Sequence, residues 1–573
     1  MELPKNRSEA LNFLASEKVK VHLYKISAAE RDKVFKKLDR LAAIVGRHLY
    51  QSLMARVIEQ TKKSAIPPLD RGLLIYPELT SFGDGTLRSQ LPFAYLYILS
   101  LKHYHPAKVD ERLTHKIDQN LDLIFSLSAS IMAVEGHQTF NIMEPFVGYS
   151  GMHRQLEKIA LKDSIFNPVQ YNCSNGKKMV HGLFGKEVIN QITEGLQGKL
   201  DLSIYIDIFD HLHTWNTYEM SDDVNQSIMQ ALEGQYDQIE IIKSVEVLTN
   251  DINQKSTSPY DSNFYSLLNK PFIKGPSGNA AYPTSFFHIV GFIKFLQSEL
   301  KRQLQHMGIP IRKQNALKGE IAERFIENEL RSSNINFHHS ATYTINKNTQ
   351  SHLREFGIKA TQGECDFIIE SSSCIVFVEL KTKELVSESR SGNQSSTLED
   401  ITYSFLQSQK QCLVHEYVLL DQSHIMFSDN YQLEHRGRDI LRVSLSVMDY
   451  GSVSDLTNIN RIVYDMAFRA DDGHLERASE NTDQNALLKK INEYRGICRA
   501  HEEKLNINTS KKRFMQRCFA LNSLFLNTDQ LLELLYYYAD TEKFVQALYT
   551  SSRTGNFSQN WLVAFHNTRK LTL

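Results

Sequence analysis

The chain lacks most of the features that would assign it at a glance. Its six cysteines, at positions 173, 365, 374, 412, 498 and 518, include no CxxC pair and no closely spaced set. That pattern excludes a zinc ribbon or a secreted disulfide scaffold and fits a reducing, cytoplasmic setting. Its most apolar stretch, Ser285 to Leu296, is interrupted by His288 and Lys294 and is too short to cross a bilayer, so no membrane is expected. The opening residues MELPKNRSEALNFL are charged and do not form the apolar segment of a signal peptide. There is no phosphate-binding GxxxxGK[ST]: Gly176-Lys177 and Gly185-Lys186 lack both the upstream glycine and the following hydroxyl residue. If nucleotide hydrolysis controls this protein, a separate NTPase must supply it.

Charge of one sign is also missing. The 65 basic and 66 acidic residues leave a net charge of −1, so affinity for a polyanion must come from local clusters. Only 13 prolines and 26 glycines occur in 573 residues, which favours helix. A chain of this length predicts two to four domains.

Apolar residues at three- and four-residue steps predict helices over much of residues 1–300, beginning with Val34, Leu38, Leu41, Val45, Leu49 and Leu53. This region reads as mainly helical and regulatory, target-recognising or oligomerising. Leu202, Ile204, Ile206 and Ile208 alternate with Ser203, Tyr205 and Asp207, the period of a strand, and can be read as an edge strand or as a helix. A break at Gly308 and Pro310 marks a boundary. Residues 311–450 then mix helix with short β-rich runs, including Ile440 to Val447, as an α/β domain does. Residues 451–573 read as a helical C-terminal module, with Leu487, Ile491, Tyr494 and Ile497 in heptad-like spacing.

The chemistry lies in the middle region. In Lys318 to Leu330, KGEIAERFIENEL, the residues Ile321, Ala322, Phe325, Ile326 and Leu330 make an apolar helix face, and Glu323 falls nearest to it. Then come GECDFIIE, with Asp366, and SCIVFVELKTK, with Glu379 and Lys381. On a strand Glu379 and Lys381 project from one face. An acid and an amine on so apolar a strand are costly to desolvate and need partners. Brought together by a hairpin, Asp366 and Glu379 would offer hard oxygen ligands to Mg²⁺, with Lys381 placed to orient or deprotonate the attacking water.

Asp366, twelve intervening residues and then Glu379-Leu380-Lys381 resemble the signature of the PD-(D/E)xK, or restriction-endonuclease-like, nuclease superfamily. Lys318-Gly319-x-x-x-Glu323-Arg324 is similar to the KGxxxER helix of archaeal Holliday-junction resolvases and Mrr-like nucleases. Cys365 stands where the family name has proline, and the interval from Glu323 to Asp366 is longer than in a minimal resolvase, with extra strand or loop material between Thr342 and Lys359. The resemblance implies an α/β nuclease core, a mixed central sheet flanked by helices, within a mostly α-helical multidomain chain. It implies Asp366, Glu379 and Glu323 as ligands for Mg²⁺, for which Mn²⁺ can substitute, and hydrolysis of phosphodiesters in DNA. A restriction or antiphage effector is the first setting this suggests. DNA repair or recombination, a ribonuclease effector, and a non-catalytic nucleic-acid-binding module on a nuclease fold are the alternatives. With one site per chain, double-strand cutting calls for a homodimer, a partner protein or two successive nicks.

Further candidates rest on pattern alone. Gln409 lies on one face of the expected helix Asp400 to Glu416 with Phe405, Cys412, Leu413 and Glu416, from which it would reach the site. Arg312, Lys313 and Lys318 belong to a stretch without acids that could contact phosphates, or simply be a solvated helix end. Lys511-Lys512-Arg513 is a second such cluster. Asp207, Asp210, His211 and His213 are metal-capable but match no ligand pattern. His338 and His339 read as surface or strand-end residues, and the Ser-rich run Val386 to Thr397 as a mobile loop that could close over substrate or simply be disordered.

Overall fold

A computed structural model describes residues 3–22, 25–63, 91–135, 156–166, 171–194, 200–213, 220–250, 256–283, 285–469, 482–504 and 519–553. The fold is mostly helical with small mixed sheets. No helix among the described residues is long and apolar enough to cross a membrane. Two compact units share the chain, one made chiefly of residues 1–149 and 158–314, the other chiefly of residues 315–389 and 393–573.

The first unit packs helices Ala28–Val45, Phe93–Lys102 and Thr114–Val134 around Phe35, Leu38, Tyr95, Leu99, Ile124 and Leu127. Its alternating segment is helix Ser203–His213, with Ile204, Ile206, Ile208, Phe209 and Leu212 buried. A helix enclosed by several neighbours needs apolar residues on more than one face, so the three- and four-residue period is blurred.

The second unit holds the residues of chemical interest. Helix α1 (Ile311–Ser332) leads into β1 (Phe337–Thr344), α2 (Lys347–Glu355), β2 (Gln362–Glu370), β3 (Cys374–Lys381), α3 (Gln407–Gln422) and β4 (Asp439–Ser446). After helix α4 (Thr482–Lys504) come β5 (Ser523–Asn527), α5 (Thr528–Tyr537) and α6 (Thr541–Arg553). The sheet order is β5-β4-β3-β2-β1. The β1–β2 and β2–β3 pairs are antiparallel, whereas β3–β4 and β4–β5 are parallel. This is the expected mixed sheet between helices.

The described part of residues 451–573 is therefore not a separate module. Their helices are present as expected, but β5 completes the sheet edge and α4 packs on α3. The Ser-rich run is also more ordered than a loop, forming helical turns at Ser387–Arg390 and Gln394–Ile401, the latter capped by the Asn393 side chain. Part of the Thr342 to Lys359 material is α2.

The two faces of the sheet differ in polarity. On one, Phe367, Ile369, Val378, Val443, Leu445 and Leu526 meet Ile326 and Leu330 of α1 and residues of α5 and α6 around a small apolar cavity. The other face, under α3, carries Phe377, Glu379 and Lys381 of β3 and Arg442, Ser444 and Ser446 of β4.

Candidate active site

The hairpin β2–β3 brings the motif together. Its register places Phe367 opposite Val378 and Ile368 opposite Phe377, which puts Asp366 and Glu379 next along the two strands. Asp366 Oδ2 accepts the Leu380 N–H at 2.7 Å, and Lys381 Nζ donates to Glu379 Oε2 at 3.2 Å. Glu379 has no solvent-exposed surface.

At Asp366 strand β2 changes face. Tyr343 is paired with Gly363 and hydrogen-bonds His415 of α3, yet Phe367 points to the opposite side, against α1. In an unbroken strand residues 363, 365 and 367 would share one face. Opposite, between the paired residues His339 and Ala341, Ser340 has φ of 47°. This local distortion, of the kind that re-aims side chains in sheets, turns Cys365 toward α3. Gly363 has no side chain because the Tyr343 ring occupies that space.

Burial dominates the electrostatics of the site. Burial, then the neighbouring Glu379 carboxylate, push Asp366 up to about 7, against the opposing pull of Lys381 and the Leu380 N–H. Burial draws the Lys381 amine down, but Glu379 and Asp366 outweigh it and the net shift is upward. Lys381 is thus an ammonium donor in this arrangement, not a free base.

Because the folded-state value of Asp366 lies above the unfolded value of about 3.9, the folded chain holds that proton more tightly. The resulting destabilisation is absent below about pH 4, grows as pH rises toward 7 and is constant above it. Asp366→Asn in metal-free protein is expected to flatten this fall, which urea midpoints measured from pH 4 to 8 would reveal. A profile identical to the parent's would mean another group controls it.

Glu323 sits on α1 beside His339, with Oε2 3.9 Å from Nε2, while Glu327 Oε2 lies 3.7 Å from Nδ1. Chiefly through Glu323, the His339 imidazole is raised above its usual range, and Asp366 adds to the shift. Its ring stacks on Phe367 at 4.9 Å. His339 is therefore a part-buried member of the site, whereas His338 stacks on Tyr431.

Gln409 does not reach the carboxylates. Its Nε2 donates to the carbonyls of Arg442 and Leu524 and to Ser444 Oγ, tying α3 to β4 and β5. The side chain that α3 sends to the site is His415, six residues further on, whose Nε2 is 3.1 Å from Glu379 Oε1 and whose Nδ1 is 2.6 Å from Tyr343 Oη. A histidine next to the same helix face was the available signal. Cys365, Glu379 and His415 bring ligand atoms within 4.8 Å of one another, the group of metal-capable residues found among the described residues.

Of the basic candidates, Arg312 and Lys313 are exposed in the first turn of α1 and Lys318 is half-buried. The cluster at Lys511 lies outside the described residues. Asp207 and Asp210 do not assemble into a metal centre, because Asp207 accepts from Tyr236 and Asp210 from His181, while His211 bonds Ser227.

Asp366, Glu379 and Glu323 carry the hard oxygen donors that suit Mg²⁺, but among the described residues these three do not bring ligand atoms within 4.8 Å of one another, and Glu323 is turned to His339. Both Glu379 oxygens already hold donors, from His415 and Lys381. A cation bound there would replace one of those hydrogen bonds. Comparison with known proteins adds nothing to this geometry, since no family model, curated protein or solved structure matches the chain.

Proposed function

We propose that the chain is a Mg²⁺-dependent DNA endonuclease acting through Asp366, Glu379 and Lys381, with Glu323 contributing from α1. The observation that carries this reading is the meeting of two carboxylates and an ammonium at the end of one hairpin, with Asp366 held up to about 7 beside Glu379. Mg²⁺ bound by the carboxylates would supply a Lewis acid and lower the pKa of the attacking water. The chain's own part is positional and electrostatic. The Leu380 N–H fixes the Asp366 carboxylate. Lys381 stays protonated between two acids and can stabilise negative charge that develops on the phosphate. The buried pairs around Glu379 keep bulk water from its inner edge.

DNA is favoured over RNA by the sequence resemblance alone, and an antiphage or restriction role follows from the same source. The test is a parallel panel of double-stranded DNA, single-stranded DNA and RNA with Mg²⁺, Mn²⁺ or chelator, using Glu379→Ala as the blank. Chelator-sensitive cleavage of DNA absent from the blank is expected. RNA cleavage alone would make the protein a ribonuclease, and binding without cleavage would favour a scaffold role.

A further inference from the structure

We propose that Cys365, Glu379 and His415 form a site for a thiophilic divalent cation of the Zn²⁺ type, sharing Glu379 with the Mg²⁺ site above. One sulfur, one carboxylate oxygen and one imidazole nitrogen lie within 4.8 Å of one another. All three side chains are buried, with 1%, 0% and 3% of their surface exposed. Sulfur and imidazole select Zn²⁺ or Co²⁺ over Mg²⁺, and three protein ligands leave one position for water.

The set comes from three elements: Cys365 on β2, Glu379 on β3 and His415 on α3. Cys365 joins only because β2 changes face at Asp366. Without that change the thiol would point toward α1. Behind the imidazole, Tyr343 Oη holds Nδ1 at 2.6 Å, leaving Nε2 toward Glu379. Such a partner behind a metal-bound histidine fixes its ring and tautomer.

Binding replaces the His415–Glu379 hydrogen bond. The thiol proton leaves to solvent; a neutral His415 coordinates through Nε2 with its one proton on Nδ1, toward Tyr343 Oη, and an imidazolium gives up its Nε2 proton to solvent. Charge then balances locally, because a thiolate and a carboxylate cancel the divalent cation, and Lys381 remains as counter-charge to Asp366. Occupation withdraws Glu379 from Asp366. Resting on the function proposed above, this makes the thiophilic ion an inhibitor of Mg²⁺-dependent cleavage.

The experiment is a Co²⁺ titration of full-length, chelator-stripped, reduced protein. A thiolate-to-cobalt charge-transfer band saturating at one equivalent is expected. It should vanish in Cys365→Ser, survive in Cys412→Ser, the neighbouring cysteine on α3, and be displaced by Zn²⁺. Tyr343→Phe should keep the band with roughly ten-fold weaker affinity. Zn²⁺ should raise the Tm of the parent but not of Cys365→Ser. Should Cys365→Ser not fold, His415→Gln carries the test, with Co²⁺ affinity falling and the sulfur band retained. No band in folded parent, or an equal band in folded Cys365→Ser, overturns the site. None of these readouts needs cleavage, so a cobalt band in a protein that cuts nothing sinks the nuclease reading and leaves this site standing.

Discussion

Glu379→Ala and Lys381→Ala should each lower metal-dependent phosphodiester cleavage by roughly 10³-fold or more, about 4 kcal/mol of transition-state stabilisation. The two losses have different origins. Glu379 is wholly buried and bonded to both Lys381 and His415. Its removal takes away a ligand and also the negative charge that adds to burial in holding Asp366 high. The downward shift of Asp366 in Glu379→Ala is itself measurable by carboxyl titration. Lys381→Ala leaves the ligands but deletes the ammonium, so Asp366 should move further up, the carboxylates should hold a cation no less tightly, and the loss should fall on the rate. Single-turnover rates at saturating Mg²⁺ would separate the effects, and undiminished cleavage by both variants would sink the assignment.

Arg442→Met is expected to destabilise the second unit by about 3–5 kcal/mol, the range for breaking a buried ion pair by removing one partner. Arg442 has no exposed surface. Its guanidinium bonds Glu416 of α3, the Phe519 carbonyl and Ser523 Oγ at the start of β5, and lies 4.3 Å from the Phe519 ring centroid. Loss of the cation strands Glu416 and loosens β5. The double variant Arg442→Met/Glu416→Leu should recover much of the loss, since a buried pair is often replaceable by apolar groups. Denaturant unfolding of the three proteins measures this. A deficit under about 1 kcal/mol for Arg442→Met would put the pair outside the set of strongly coupled core groups.

The motif was readable because charge on an apolar strand is expensive: Glu379 and Lys381 stand out against Ile375-Val376-Phe377-Val378 whatever the surroundings. The sheet and the helix α1 could also be anticipated from period and order. What lay beyond reading was the covering of the polar face. In β4 the alternation of Leu441, Val443 and Leu445 with Arg442, Ser444 and Ser446 describes a half-solvated strand, yet all six are buried. The reason is α3, which is buried almost throughout from Ser408 to Leu419 and brings Ser408, Gln409, His415 and Glu416 to that face. A helix enclosed on most sides has no polar edge to give its orientation, so the period does not say which face, that of Gln409 or that of His415 about 120° round the helix, meets β3. Strand β5 spans five residues between helices, too few for a pattern. Cys365 was visible only as a missing proline, because its direction depends on the face change at Asp366.

The late arrival of β5 has a consequence for biosynthesis. Between Ser446, where β4 ends, and Ser523, where β5 begins, lie 523 − 446 − 1 = 76 residues. At about 5–20 residues per second the ribosome needs about 4–15 s to make them. Throughout that interval β4 presents an unpaired edge and Arg442 lacks its Phe519 and Ser523 partners. An open parallel edge is a template for pairing with another nascent chain. Neighbouring ribosomes on one message, or a chaperone that covers the edge, therefore have a window in which to act on this unit before it closes.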